Sequence, residues 1–467
     1  MTSRFPSSAL PELQIWAPKA HSVEIELDGP RLEHGTRYAI RLDGGDPLPD
    51  PRSRWQPDGV HGRSAWVDHS RFRWTDAGWS AGELRDQVIY ELHVGTFSAG
   101  GDFDGVAGHL DHLLDLGVTA IELMPVAEFA GERGWGYDGV LLYAPHHAYG
   151  GPEGLKRLVD TCHARGLAVI LDVVYNHVGA EGNYLPRFGP YFSHRHASAW
   201  GDAFNFDGLD APEVRRFVTD NAAAWIREYH FDGLRLDAVH AIRDDSARHI
   251  VADIAAAAHD AGSEQGRRVW VTAESNVDDP KLLDEYGCDA QWFDYFHHAL
   301  HAYVTGERDS YYAPFGSYEK VEAALARAEP RLVTFIQNHD QVGNRAQGDR
   351  LSQQLPPERL RWLAEVLLTA PGVPLLFQGE EWGAGTPFQF FADHGDPGIR
   401  RATTEGRIRE FAAFGWERSQ VPDPEDPATF ERSRLDWTEL DRSPHGELLA
   451  FYRDLIQRRV GSLAEKT

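Results

Sequence analysis

Two hydrophobic periods divide this chain. Up to about residue 85 apolar and other residues alternate: Val23, Ile25 and Leu27 against Glu24 and Glu26, then Tyr38, Ile40 and Leu42 against Ala39 and Arg41. A period of two is the mark of half-buried antiparallel strands. The following stretch, DGGDPLPDPRSRWQPDGVHG, carries Pro and Gly too densely for the interior of an element and reads as a linker or wrapping loop. From Gln87 onward the pattern changes to short runs rich in Val, Ile and Leu that end in polar residues: VIYELHVGTF, VTAIELMPV, LAVILDVVYNH, FDGLRLDAVH, RRVWVTAES, DAQWFDYF, RLVTFIQNHD and VPLLFQGEEWG. Such runs are strands buried on both faces of a parallel sheet, and amphipathic stretches such as GVAGHLDHLLDLG and GGPEGLKRLVDTCHARG lie between them. Eight strands between residues 88 and 383, alternating with helices, predict an α/β protein built on a closed (β/α)8 barrel of the TIM type. An open doubly wound sheet is the rival, but no GxGxxG follows a first strand and no Walker sequence occurs.

The expected organisation is an N-terminal β-sandwich-like domain over 1–85, a barrel over 86–460 and an excursion over 178–212 after the third barrel strand. The excursion is signalled by a long irregular run, 179–208, rich in Gly, Pro and aromatic residues, and a long loop in a compact domain is usually functional. Leu448, Leu449, Tyr452, Leu455 and Ile456 share one helical face, which suits the eighth barrel helix. Only a tail, 461–467, follows, so no C-terminal β domain is expected.

A net charge of -26 argues against a nucleic-acid partner, because phosphate backbones are bound by basic clusters that release counterions. The start, MTSRFPSSALPELQIW, lacks a charged segment followed by an apolar core, and no run of about 18 apolar residues occurs, so neither a secretory signal nor a membrane span is expected. Cys162 and Cys288, the only cysteines, stand in separate segments and read as buried thiols. A cytoplasmic protein acting on an uncharged substrate is the simplest expectation, with the oligomeric state left open.

Candidate chemistry sits where the apolar runs stop. Asp172, Asp237, Glu274 and Asp340 close four of them, and in a (β/α)8 barrel the C-terminal strand tips form the active face. Two carboxyl groups flanking a bond are the minimum apparatus for glycoside hydrolysis, and Asp237 and Glu274, ending consecutive strands, are the natural pair. Arg235 lies two residues before Asp237, on the same strand face, where its guanidinium favours an ionised carboxylate. His177 and His339 close the third and seventh runs and could hydrogen-bond sugar hydroxyls. Taken singly, each of these residues is equally a structural ion pair or a satisfied strand end. A metal centre is the competing chemistry, but the first strand offers His93 alone, and His146-His147 and His297-His298 are adjacent residues that a strand would send to opposite faces. Trp135 and Tyr137 lie in the Gly-rich stretch GERGWGYDG, where aromatic rings could stack on pyranose rings.

The motifs DVVYNH, GLRLDAVH, AES and QNHD, in this order, resemble the signature regions of the α-amylase superfamily of glycoside hydrolases. Carried over position by position, the resemblance implies Asp237 as nucleophile, Glu274 as acid/base and Asp340 as the residue that orients the sugar and stabilises an oxocarbenium-like transition state. Asp172, His177, Arg235 and His339 would line the same subsite, with Tyr137 stacking beneath the ring. Within the superfamily the wording is closest to the trehalohydrolases that act on maltooligosyltrehalose, carried by VIYELHVGTFS, QNHDQVGNRAQGDR, GEEWGAGTPFQFFADH and DPATFERSRLDW among others. The implied partner is that oligosaccharide, cut at the α-1,4 bond next to its terminal trehalose, and the implied reaction needs no metal or organic cofactor. The resemblance departs where YYAPFGSYEKVEAALARAEP runs directly into RLVTFIQNHD, without the longer aromatic and basic insertion of the family pattern. A broader α-1,4-glucan hydrolase, a branching transferase, and a catalytically silent carbohydrate-binding protein on the same fold remain as alternatives.

Overall fold

The computed structural model describes residues 2–198, 201–277, 279–412 and 416–464. Residues 199 and 200 of the expected excursion and 465–467 of the tail lie outside them. Four strands open the chain: β1 (Thr2–Pro6), β2 (Val23–Asp28), β3 (Arg37–Leu42) and β4 (Ser64–Ala65), paired in that order in one antiparallel sheet. Where a sandwich-like domain is expected, a single sheet stands among the described residues. Its apolar side chains, Ile25, Leu27, Tyr38 and Ile40, belong to the same hydrophobic cluster as the outer layer of the barrel, which takes the place of a second sheet. The Pro- and Gly-rich stretch behind it wraps onto the barrel, where Arg52 donates to Tyr143 and Asp220, and Arg54 grips Glu228 with two bonds of 2.9 Å.

The eight apolar runs form a closed parallel barrel. Its strands are β5 (Ile89–Leu92), β6 (Ala120–Leu123), β9 (Ala168–Val173), β12 (Gly233–Leu236), β13 (Trp270–Ala273), β14 (Ala290–Trp292), β15 (Leu332–Phe335) and β16 (Val373–Phe377). Between them β7 (Ala127–Glu128) and β8 (Leu141–Pro145) make a small antiparallel pair, and β10 (Phe192–Ser198) and β11 (Gly201–Phe204) make a hairpin inside the excursion. The period of two sorts the barrel side chains into two cores. Ile89, Ala120, Ile170, Trp270, Val333 and Val373 fill the interior, while Tyr90, Leu92, Ile121, Leu171, Leu234 and Val271 pack outward beneath the helices. One step further along the inward face, the apolar filling gives way to Glu91, Glu122, Asp172 and Arg235, all buried. The helix His445–Ala464 packs against Pro357–Thr369 and Leu110–Leu116, the position expected of the last barrel helix. Among the described residues no helix is long and apolar enough to cross a membrane.

Candidate active site

Arg235 is the centre of the site. Its side chain is wholly buried, with the guanidinium 4.3 Å from the centre of the Trp292 ring. Nη1 donates at 2.8 Å both to Asp172 Oδ2 and to Asp237 Oδ1, and Nη2 stands 3.8 Å from Glu274 Oε2. Parallel register sets Arg235 beside Asp172 on β9 and Thr272 on β13, so three neighbouring strands deliver one layer of polar side chains. Asp237 and Glu274 follow their strands by one residue. Asn176 donates to the other Asp237 oxygen at 2.7 Å, so both oxygens of this carboxylate have donors.

Glu274 has a different setting. Burial pushes its carboxyl up to about 8, with Arg235 pulling down against it and the Asp237 charge adding to the rise. Its Oε2 accepts the amide of Ala238 at 2.5 Å, and Ala238 reaches that position only in the left-handed region, at φ 41°. A residue with a Cβ is strained there, and such strain persists where surrounding structure over-determines it. Asp172 is also raised, to about 6, by burial, against the pull of Arg235. The adjacent tips of β12 and β13 therefore set a carboxyl with donors on both oxygens beside one that burial raises.

The other predicted residues close around this pair. Tyr137 donates to Asp172 Oδ2 at 2.6 Å, lies 2.6 Å from His339 Nε2, and its ring stacks on His339 at 5.2 Å. Gly136 makes this loop possible: its φ is 97°, and a Cβ there would meet the Pro125 carbonyl oxygen at 2.0 Å. His339 gives its Nδ1 and its backbone amide to the two oxygens of Glu91, at 2.5 and 3.0 Å. Burial opposes its positive charge, but the Glu91 and Asp340 carboxylates outweigh it and raise the imidazole to about 9. Asp340 stands on a short helix, His339–Gly343, not on the strand tip, and is part exposed, with Asn344 donating to it at 3.0 Å. His177 is buried beside Asn176 and lines a groove of about 410 Å³ together with Asn183, Phe192, Phe390 and His394. A larger cavity, about 650 Å³, lies elsewhere, between the N-terminal sheet and the helix Ala211–Tyr229.

Several readings change. Trp135 is not a sugar platform: it is 5% exposed, stacks on Phe388 and donates Nε1 to the Gln389 carbonyl. His93 is a buried core histidine bonded to Thr96 and to the Gly134 carbonyl. His146 and His147 do not diverge. They fall at a tight turn after β8 rather than in a strand, so both rings face the Glu128 carboxylate, at 3.4 and 2.7 Å. His297 and His298 lie on the helix Asp294–Thr305, with His297 satisfied by the Ile336 carbonyl and Tyr312. Four contributors were missed: Asn176, Trp292, Glu91 and Glu122. The inward alternation starting at Ile89 and Ala120 was the available signal for the two glutamates. Both Glu122 oxygens lack a hydrogen-bond partner among the described residues, and burial, reinforced by Glu91, keeps this carboxyl strongly raised.

A closed parallel barrel with two carboxyl groups around one arginine at its C-terminal rim has the apparatus that glycoside hydrolysis requires. The model of the alpha amylase catalytic domain matches residues 66–200 and 189–414, and the chain belongs to the alpha-amylase family of glycoside hydrolases. A malto-oligosyltrehalose trehalohydrolase of Arthrobacter ramosus is 48% identical over 98% of this chain and 87% of its own length. A protein of the same name from Rhizobium sp. is 46% identical over 95% of this chain and 84% of its own. Among solved structures, a Salmonella typhimurium protein assigned by name to the alpha amylases superimposes with a TM-score of 0.87 at 38% identity, covering 98% of this chain and 84% of that one.

Proposed function

We propose that this enzyme hydrolyses the α-1,4-glucosidic bond next to the terminal trehalose of maltooligosyltrehalose, releasing trehalose, by a retaining double displacement. Asp237 attacks the anomeric carbon while Glu274 protonates the leaving oxygen; water then enters with Glu274 as base and regenerates Asp237. Asp340 orients the sugar and stabilises the oxocarbenium-like transition state, and Tyr137, Asp172, His177, Arg235 and His339 line the same subsite. The observation that carries the mechanism is the different setting of the two carboxyls, one hydrogen-bonded at both oxygens by Arg235 and Asn176 and the other raised by burial to about 8. A carboxyl raised in this way suits the general acid, and its neighbour ringed by donors suits the nucleophile. The substrate assignment rests on the relatives named above. Two free, buried thiols suit a reducing compartment, and we place the reaction in the cytoplasm.

The broader α-1,4-glucan hydrolase is favoured by one feature. Only residues 306–331 join the helix Asp294–Thr305 to β15, and the alignment to the Arthrobacter ramosus relative spans 509 positions against the 467 residues of this chain. We take this short connection to leave less chain for holding the sugars beyond the cut bond. Remote contacts of this kind contribute about 1–3 kcal/mol, or roughly 10- to 200-fold in discrimination. Incubation with maltooligosyltrehalose and with plain maltooligosaccharide, followed by proton NMR of the first products, tests both parts. Trehalose as the main small product, a first-formed α-anomer on the reducing end created by cleavage, and minor release of glucose or maltose are expected. Equal kcat/KM for the two substrates leaves a general glucan hydrolase, branched products indicate a transferase, and a β-anomer rules out double displacement.

A further inference from the structure

Glu91 lies in VIYELHVGTFS without being given a role by the resemblance, yet it makes a two-point contact with the residue before Asp340. It projects inward from β5 and spans to the segment after β15, where one oxygen accepts the His339 amide and the other meets Nδ1. Because Glu91 occupies Nδ1, the imidazole has only Nε2 to offer the site. Nε2 faces the Tyr137 hydroxyl, which faces Asp172, which shares Arg235 with Asp237. The hydroxyl in the middle has one hydrogen. If His339 is charged, Nε2–H donates to Tyr137 and the Tyr137 hydrogen points to Asp172. If His339 is neutral with its proton on Nδ1, Tyr137 must turn to Nε2 and Asp172 loses a donor.

We propose that Glu91 is a positioning residue of this site: by holding His339 at its amide and at Nδ1, it keeps the imidazole charged and so directs the Tyr137 hydroxyl onto Asp172, steadying the Arg235 fork on Asp237. The inference rests on the roles given to these residues in the proposed function. Several groups face His339. Glu91 and Asp340 favour its charge, Arg235 opposes it, Tyr137 contacts Nε2, and Asp172, Glu122 and His93 stand around the same rim, with Trp135 and Trp292 rings at its edges. Among these groups it is Glu91 that hydrogen-bonds both the ring and the backbone of His339.

Glu91→Gln and Glu91→Asp test this. In Glu91→Gln the carboxylate is gone at nearly constant volume, so His339 should lose its proton near its ordinary range. Kcat at pH 8 should fall roughly 10- to 100-fold, as for other carboxylates that orient a working histidine, with KM little changed. The alkaline limb of kcat should move down by about one pH unit or more, and Glu91→Asp, which keeps the charge, should restore the limb and part of kcat. Histidine-labelled protein supplies the second readout, with the His339 signal assigned by its loss in His339→Asn. Wild-type His339 should stay charged beyond pH 8 and the Glu91→Gln histidine should not. A uniform kcat loss with an unmoved limb would reduce Glu91 to a packing role and overturn the proposal, as would a wild-type His339 neutral at pH 8. The second result applies even if Glu91→Gln fails to fold. The histidine titration needs no substrate, so failure to cleave maltooligosyltrehalose counts against the proposed function alone.

Discussion

Strand β12 has an aspartate at each end, and the two are built for different ends. Asp232, just before the strand, accepts from Trp79 and Arg267 on one oxygen and from the Val169 amide and His163 on the other. His163 then bonds Asp76, which also accepts from His230. Although burial opposes it, these histidine bonds hold the Asp76 carboxyl well below its usual range. At the other end of the strand, Asp237 shares Arg235 with Asp172 and Glu274, and the surroundings are left incomplete. Asp172 Oδ1, Arg235 Nε and Nη2 and both Glu122 oxygens lack hydrogen-bond partners among the described residues. A closed ionic network stabilises; an incomplete one leaves buried polar atoms whose desolvation is not offset, which is more often found where a site works than where it only holds. The N-terminal face of a barrel serves stability and the C-terminal face serves chemistry, and here one strand shows both.

The sharpest way to break this comparison is to neutralise each aspartate at constant volume. Asp237→Asn should lower kcat by a thousandfold or more, an order of magnitude set by removal of the proposed covalent nucleophile, with an unchanged unfolding curve. More than a tenth of wild-type kcat in folded protein would remove Asp237 from that role. Asp232→Asn should do the reverse. Stripping one partner from a buried ionic network costs about 3–5 kcal/mol, so denaturant unfolding should shift strongly while the folded fraction keeps its kcat. Loss of activity without loss of stability in Asp232→Asn would erase the distinction between the two faces.

The smallest expected effect concerns pH. Glu274 and Asp172 are raised in the folded chain, to about 8 and about 6, and therefore hold protons that the unfolded chain releases. Stability should then fall as pH rises from the ordinary carboxyl range to about 8. His339, raised to about 9, adds stability that is complete below its ordinary value near 6.5 and is lost as pH passes 9. Glu274→Gln removes one contributor to this slope, so its unfolding midpoint should gain on wild type between pH 5 and pH 8. Parallel pH profiles for the two proteins would show that Glu274 carries no such burden.

The sequence alone determined the barrel and most of its rim. Eight apolar runs ending in polar residues are legible because a strand buried on both faces tolerates polarity only at its tip, and Asp172, Asp237 and Glu274 stand at such tips. The motif order carried Tyr137, His177, Arg235, His339 and Asp340 to the same place. Only the tertiary structure decided what depends on distance between segments. Glu91 and Glu122 sit in runs that read as core strand, and their burial becomes chemistry because the closed barrel turns them toward Arg235 and His339 from strands far apart in sequence. Trp135 and the His146–His147 pair were misread for the related reason that a ring's surroundings come from other elements: Phe388 covers the first and Glu128 gathers the others. Side-chain type and period specify which face a residue takes, but charge state and hydrogen-bond direction follow from which groups share that face once the barrel is closed.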